Sequence, residues 1–166
     1  MAYRLIAVVV LLGALAIGAM RVEAQSVTVT AKGSGQISTV RCQPNFFTCS
    51  SGGRGTSFSF SFTGFNDEPA APGSLSAIER ETNTKIDWVT GTVFLNLDNH
   101  IAVGSGICTV TTADGQSSMA DCRFTTQDRA EPGGGGDTFN LSINGPTIPL
   151  FMTQSTEIIS GNIQIQ

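Results

Sequence analysis

The chain has 166 residues, 40% of them hydrophobic and 13% charged, with a formal net charge of −4. That length is enough for one domain with a real core. A mildly acidic, charge-poor chain argues against nucleic acid and anionic membranes as partners, because both are bound through clustered positive charge.

The N-terminal end carries Arg4, then an apolar run over 5–20, then Arg21-Val22-Glu23-Ala24. A positive start, an apolar centre and small residues at the −3 and −1 positions, here Val22 and Ala24, predict a secretory signal peptide over 1–24, cut before Gln25. The rival is a retained anchor, for which the run is barely long enough, since a bilayer needs roughly 20 apolar residues. The mature domain is then 25–166, or 142 residues. Removing Arg4, Arg21 and Glu23 leaves seven basic and twelve acidic side chains, a net charge of −5. No cysteine stands directly after the run, which excludes lipid attachment there, and no membrane insertion is expected after cleavage. The expected location is secreted, periplasmic or on the cell surface, with an extracellular partner that the sequence does not identify.

No stretch has a helical period; strand signals recur instead, bounded by Gly, Asn, Asp and Pro. Residues 26–31 alternate, and 35–40 continue them after a glycine break. Residues 41–49 are predicted to be a disulfide-pinned loop, with 50–55 as its flexible tail. Residues 57–63 alternate serine with Phe58, Phe60 and Phe62, which predicts one core face and one wet face, an antiparallel habit. A loop over 64–73 follows, then an element starting at Leu75, Ala77 and Ile78. Residues 85–90 and 92–97 form two elements split by Gly91, before a turn at Asp98-Asn99. Residues 100–103 and 107–111 come next, with Gly104 and Gly106 suggesting a bulge. A hairpin turn at 113–115 leads into 118–126. There Ala120, Cys122 and Phe124 share one parity, and Asp121 and Arg123 the other. Phe139, Leu141 and Ile143 make a further stripe, 147–152 is short and apolar, and Ile163 and Ile165 alternate at the end. The prediction is an all-β antiparallel sandwich or small barrel of about nine or ten strands. Short strands without aromatic girdles argue against an outer-membrane barrel.

The four cysteines, Cys42, Cys49, Cys108 and Cys122, fall in the mature part. An even number in an exported chain predicts two disulfides. Three connectivities are open, and short-range pairing of Cys42 with Cys49 and Cys108 with Cys122 is preferred. Matching parity of Cys108 and Cys122 on neighbouring strands supports the second pair, whose loop closure is worth roughly 3 kcal/mol. Zinc is the alternative, but neither C-x6-C nor C-x13-C is a zinc spacing.

No catalytic residue is assigned. There is no G-x-S-x-G elbow, and His100, the sole histidine, sits at a turn, where a surface role is expected. Paired carboxylates of a carbohydrate-active enzyme could be drawn only from unplaced residues such as Asp87, Asp98 and Asp121. The glycine-rich stretches 51–55 and 133–136 lack the lysine and hydroxyl of a phosphate loop and do not open a helix. One stretch is richer: the hairpin of 122–143, in which Asp128, Glu131 and Asp137 flank four glycines. Hard cations want carboxylate and carbonyl oxygens, so calcium is a possible ligand there; a solvated loop is the plainer alternative. Gly133 to Asp137 is also one residue short of the G-G-x-G-x-D repeat of calcium-binding β-helices, with no second copy. The pair Phe46-Phe47 is a possible contact patch, or else a plug at one end of the fold. Asn140-Leu141-Ser142 is a glycosylation sequon.

Several of these stretches together resemble the post-COAP-type domains, small exported bacterial β-domains of unassigned function. The resemblance rests on Gly33-Ser-Gly-Gln36, on Phe124 and Asp128 with Glu131-Pro-Gly133 and Asp137-Thr-Phe139, and on Gly161-Asn-Ile-Gln-Ile165. It spans most of the mature chain and is specific in the last 45 residues. Arg129-Ala130 replaces an expected Asn-Gly, Ser160 a glycine and Gln166 a histidine, and the Cys42–Cys49 loop is not in the pattern. It implies an exported β-domain and brings no activity. The expected function is a non-enzymatic secreted or surface-associated β-domain, structural or adhesive. The alternatives are a calcium-dependent ligand-binding module and a carbohydrate-active enzyme.

Overall fold

The computed structural model of the chain describes residues 26–42, 49–69, 71–129, 136–145, 148–152 and 156–166. These form an all-β, antiparallel structure. Its strands are β1 (Thr28–Cys42), β2 (Cys49–Phe65), β3 (Gly73–Glu79), β4 (Thr84–Asn96), β5 (Ile101–Thr111), β6 (Ser117–Gln127), β7 (Thr138–Gly145), β8 (Ile148–Met152), β9 (Thr156–Glu157) and β10 (Ser160–Ile165). The body is β1 to β8, each paired with the next in chain order. It is therefore eight strands rather than nine or ten, with β9 and β10 as additions of two and six residues.

The expected sandwich does not form, because the strands make one curled sheet rather than two facing ones. The curl brings the far end of the meander back to its start. The second edge of β1 pairs with β8 at Val40 and Arg41, and with β10 from Ala31 opposite Ile165 to Gln36 opposite Ser160. One face of this sheet holds one apolar cluster. Inward positions follow the period of two, as β6 shows: Ala120, Cys122, Phe124 and Thr126 are buried and their neighbours are not.

Phenylalanine dominates the centre. Phe58, Phe60 and Phe62 on β2 stack with Phe124 on β6 and Phe139 on β7; the Phe58 and Phe139 ring centroids are 4.0 Å apart and the planes nearly parallel. Trp88 meets Phe62 and Phe124 edge-on at 6.1 and 5.6 Å. Offset-stacked and edge-to-face rings are the arrangements the aromatic quadrupole favours. Phe65 and Phe94 lie on the outer face instead, at 44% and 47% exposure.

Several predicted breaks are continuous strand. β1 runs through Gly33 and Gly35, β4 through Gly91 and β5 through Gly104 and Gly106. The glycines are there for room. A Cβ on Gly104 would lie 2.0 Å from Cε1 of Phe124, and one on Gly33 would lie 2.8 Å from Cε1 of Phe60. The bulge expected at Gly104 and Gly106 lies across the ladder, in β4 between Trp88 and Thr90. The flexible tail predicted over 50–55 is also strand, since β2 starts at Cys49 and pairs with β1 down to Cys42 opposite Cys49.

Cys108 and Cys122 form a disulfide with Cα atoms 5.8 Å apart. Ala120 faces Cys108 and Gly106 faces Cys122, so the bond runs diagonally across two buried positions of β5 and β6.

Candidate functional site

The acidic hairpin is built at the open ends of β6 and β7. The register Gln127 opposite Thr138 places Asp128 and Asp137 next in line, one beyond each strand. Both carboxylates are buried, at 5% and 1% exposure. Such groups need hydrogen-bond donors, and β10 supplies them. Thr30 and Gln166 exchange both backbone bonds, so the N–H groups of Ile163 and Ile165 must point away from β1. Ile163 N donates to Asp137 Oδ2 at 3.0 Å, and Ile165 N donates to Asp128 Oδ2 at 3.1 Å. Arg129 N donates to Asp137 Oδ1 at 3.0 Å, and Ile158 N to the Asp137 carbonyl at 2.9 Å. Where a neighbouring strand would offer carbonyls, two side chains take their place. The pair thereby fastens the last strand to the β6–β7 hairpin.

The turn after β4 joins this arrangement. His100 sits there at φ 51°, its carbonyl accepts from Asp128 N at 3.0 Å, and its Nδ1 lies 3.2 Å from the Ile165 carbonyl. His100 is exposed, in keeping with the surface role expected of it. Thr126, two residues before Asp128 on the same face, has a buried hydroxyl with no hydrogen-bond partner among the described residues.

The remaining sequence candidates are not gathered into this place. Glu131, Phe46, Phe47 and residues 1–25 lie outside the described residues. The backbones of Cys42 and Cys49 face one another across β1 and β2. Asp87 accepts a 2.8 Å hydrogen bond from Ser76 Oγ and pairs with Lys85 Nζ at 2.9 Å. Asp98 is exposed in a turn. Among the described residues no group of three His, Cys, Asp or Glu side chains is placed to hold a metal ion. Asn140 of the sequon stands on β7 opposite Thr125.

Two features were not singled out from sequence. Glu79, at the end of β3, is 1% exposed and accepts from the N–H groups of Glu81 and Thr82 and from the Thr82 hydroxyl, which ties the β3–β4 turn. A carboxylate three residues before a threonine in a polar turn was the available signal. The second is a groove of about 500 Å³ on the outer face of β5, β6 and β7, where Ser105, Ile107, Asp121, Arg123, Ser142 and Asn144 line the surface. Parity alone puts Asp121 and Arg123 outside; the register that adds the other four could not be read from spacing.

Comparison of the chain with protein-family models, with curated proteins and with solved structures finds no match.

Proposed function

We propose that the chain is an exported, non-enzymatic β-domain of structural or adhesive type, which meets its partner on the outside of the curled sheet. The observation that carries this reading is the employment of Asp128 and Asp137. The two carboxylates of the most chemistry-rich stretch are buried and bound to backbone amides of β10, so they serve the fold. The side chains of the opposite face pack into one apolar core. The Cys108–Cys122 disulfide suits an oxidising compartment, in line with a signal peptide over 1–24 and with the resemblance to post-COAP-type domains. That β1 carries β8 and β10 on its second edge supports treating the curl as a small barrel.

The test is co-sedimentation of the purified mature protein with isolated cell envelopes, with and without chelator. Saturable binding indifferent to chelator is expected, and absence of binding overturns the adhesive reading. Melting with calcium and with chelator completes the test. A ligand present at a hundred times its Kd stabilises by about 2.7 kcal/mol. A calcium-dependent shift of that size, lost in Asp137→Ala, would replace this reading with a calcium-dependent module.

A further inference from the structure

The outer groove carries an inference that rests on the binding reading above and deepens it. Six of its lining residues form two rows across three strands. Ser105, Arg123 and Ser142 face one another in one row. Ile107, Asp121 and Asn144 form the next. Strand spacing and the two-residue repeat give the patch a footprint of about 10 by 7 Å. It stands on three laddered strands, two of them, β5 and β6, also joined from behind by the Cys108–Cys122 disulfide on the inward face. The side chains are therefore held on rigid elements rather than on a loop.

Their chemistry is mixed and balanced. Asp121 offers acceptors, Arg123 donors, Asn144 both, and the two serines a hydroxyl each. Asp121 and Arg123 follow one another on the same face of β6, yet among the described residues no hydrogen bond or ion pair engages either side chain. The charges cancel, so the groove has no preference for an anion or a cation. Uncharged hydrogen-bonding groups outnumber charged ones, and Ile107 adds a small apolar surface against which C–H groups can rest. A ligand that is neutral, dense in hydroxyls and apolar on one side fits that set. We infer that this groove binds a saccharide, with Asp121 accepting from adjacent ring hydroxyls and Arg123 and Asn144 donating to ring substituents. About 10 Å along the rows matches two sugar units, which favours a segment of a polysaccharide over a free monosaccharide. No aromatic ring lines the described part of the groove, so affinity comes from hydrogen bonds to a solvated ligand, and a Kd of about 1 mM is expected.

The experiment is a titration of the isotopically labelled mature protein with cello-, chito-, malto- and xylo-hexaose, followed by amide chemical shifts. At least one sugar should move the amides of Ser105, Ile107, Asp121, Arg123, Ser142 and Asn144 together. Asp121→Asn and Arg123→Ala should each weaken binding about tenfold, the effect of one charge-assisted hydrogen bond, while the melting temperature stays at the wild-type value. Shifts elsewhere, no shifts with any sugar, or variants that bind like wild type overturn the assignment. So does a response to the zwitterion glycine betaine without a response to any sugar. Envelope binding that survives both variants sinks the groove and leaves the adhesive reading standing. Sugar binding at the groove without envelope binding does the reverse.

Discussion

Asp137 is one side chain that holds two separate pieces of backbone. Its oxygens accept from Arg129 N and Ile163 N while the group is 1% exposed. Asp137→Ala leaves both donors buried without acceptors, and about 3 kcal/mol should be lost in urea unfolding. Asp137→Asn keeps one acceptor but turns an amide donor toward the second N–H, so its loss should be intermediate. Equal stability of all three proteins would sink the fastening role. Thr126 poses the opposite case, because its buried hydroxyl has no partner among the described residues. Thr126→Val keeps the shape and removes the polar atom, and should stabilise by about 1 kcal/mol in the same assay. Asp114 gives a pH-dependent counterpart on the surface. The Thr112 hydroxyl beside it, with smaller help from backbone N–H groups, holds its carboxyl below the usual range, against a small opposing effect of burial. The folded carboxyl is the stronger acid. Its contribution to stability is therefore complete above the ordinary carboxylate range and disappears as pH falls through the lower folded value. An NMR titration should find Asp114 below the ordinary aspartate range, and Thr112→Val should bring it back toward that range.

At the scale of the strand, inward parity was legible and continuity was not. Phe58, Phe60 and Phe62, Cys108 and Val110, Phe139, Leu141 and Ile143 all face the core as alternation predicts. Strand length went astray at Gly33, Gly91 and Gly104 because a glycine looks like a break when only its neighbours in sequence are considered. Its reason lies across the sheet, in the ring of Phe60 for Gly33 and of Phe124 for Gly104. A direct consequence is that Gly104→Ala should overpack the core and cost about 1–3 kcal/mol. Ser105→Ala, next to it on the outer face, should stay within about 0.5 kcal/mol. If the two variants unfold at the same urea concentration, Gly104 is not making room for Phe124. The hydrogen bonds from β10 to Asp128 and Asp137 are hidden in the sequence for a related reason. Local pattern places the two carboxylates only at the strand ends that flank the loop, because the strand that donates to them is 37 and 26 residues further on.

For the whole molecule, the decisive contact is between the two ends of the described chain. β1 cannot satisfy its second edge until β8 and β10 have been reached, and Ile163 and Ile165 fill the interior only when β10 is seated. Folding therefore depends on pairings across most of the chain. That topology places it with slow all-β folders, so refolding in milliseconds to seconds is expected. It also predicts that the last strand cannot be treated as an appendage. Deleting 160–166 removes two buried isoleucines, worth about 1.5–3 kcal/mol each, and the donors of two charge-assisted hydrogen bonds, worth about 1.5–3 kcal/mol each. It also bares one edge of β1 and strands Asp128 and Asp137 without their β10 donors. Those losses together are comparable with the whole stability of a small domain, about 5–15 kcal/mol. The truncated protein should lose its cooperative thermal transition and the near-ultraviolet dichroism of the phenylalanine–tryptophan core. A truncated chain that still melts cooperatively within a few degrees of the full one would mean that the sheet is complete without β10. The two aspartates would then need another explanation for their burial. The double variant Asp128→Ala/Asp137→Ala separates the contributions: it keeps both isoleucines in place, so it should retain a cooperative transition at a lower temperature, whereas deletion should abolish it.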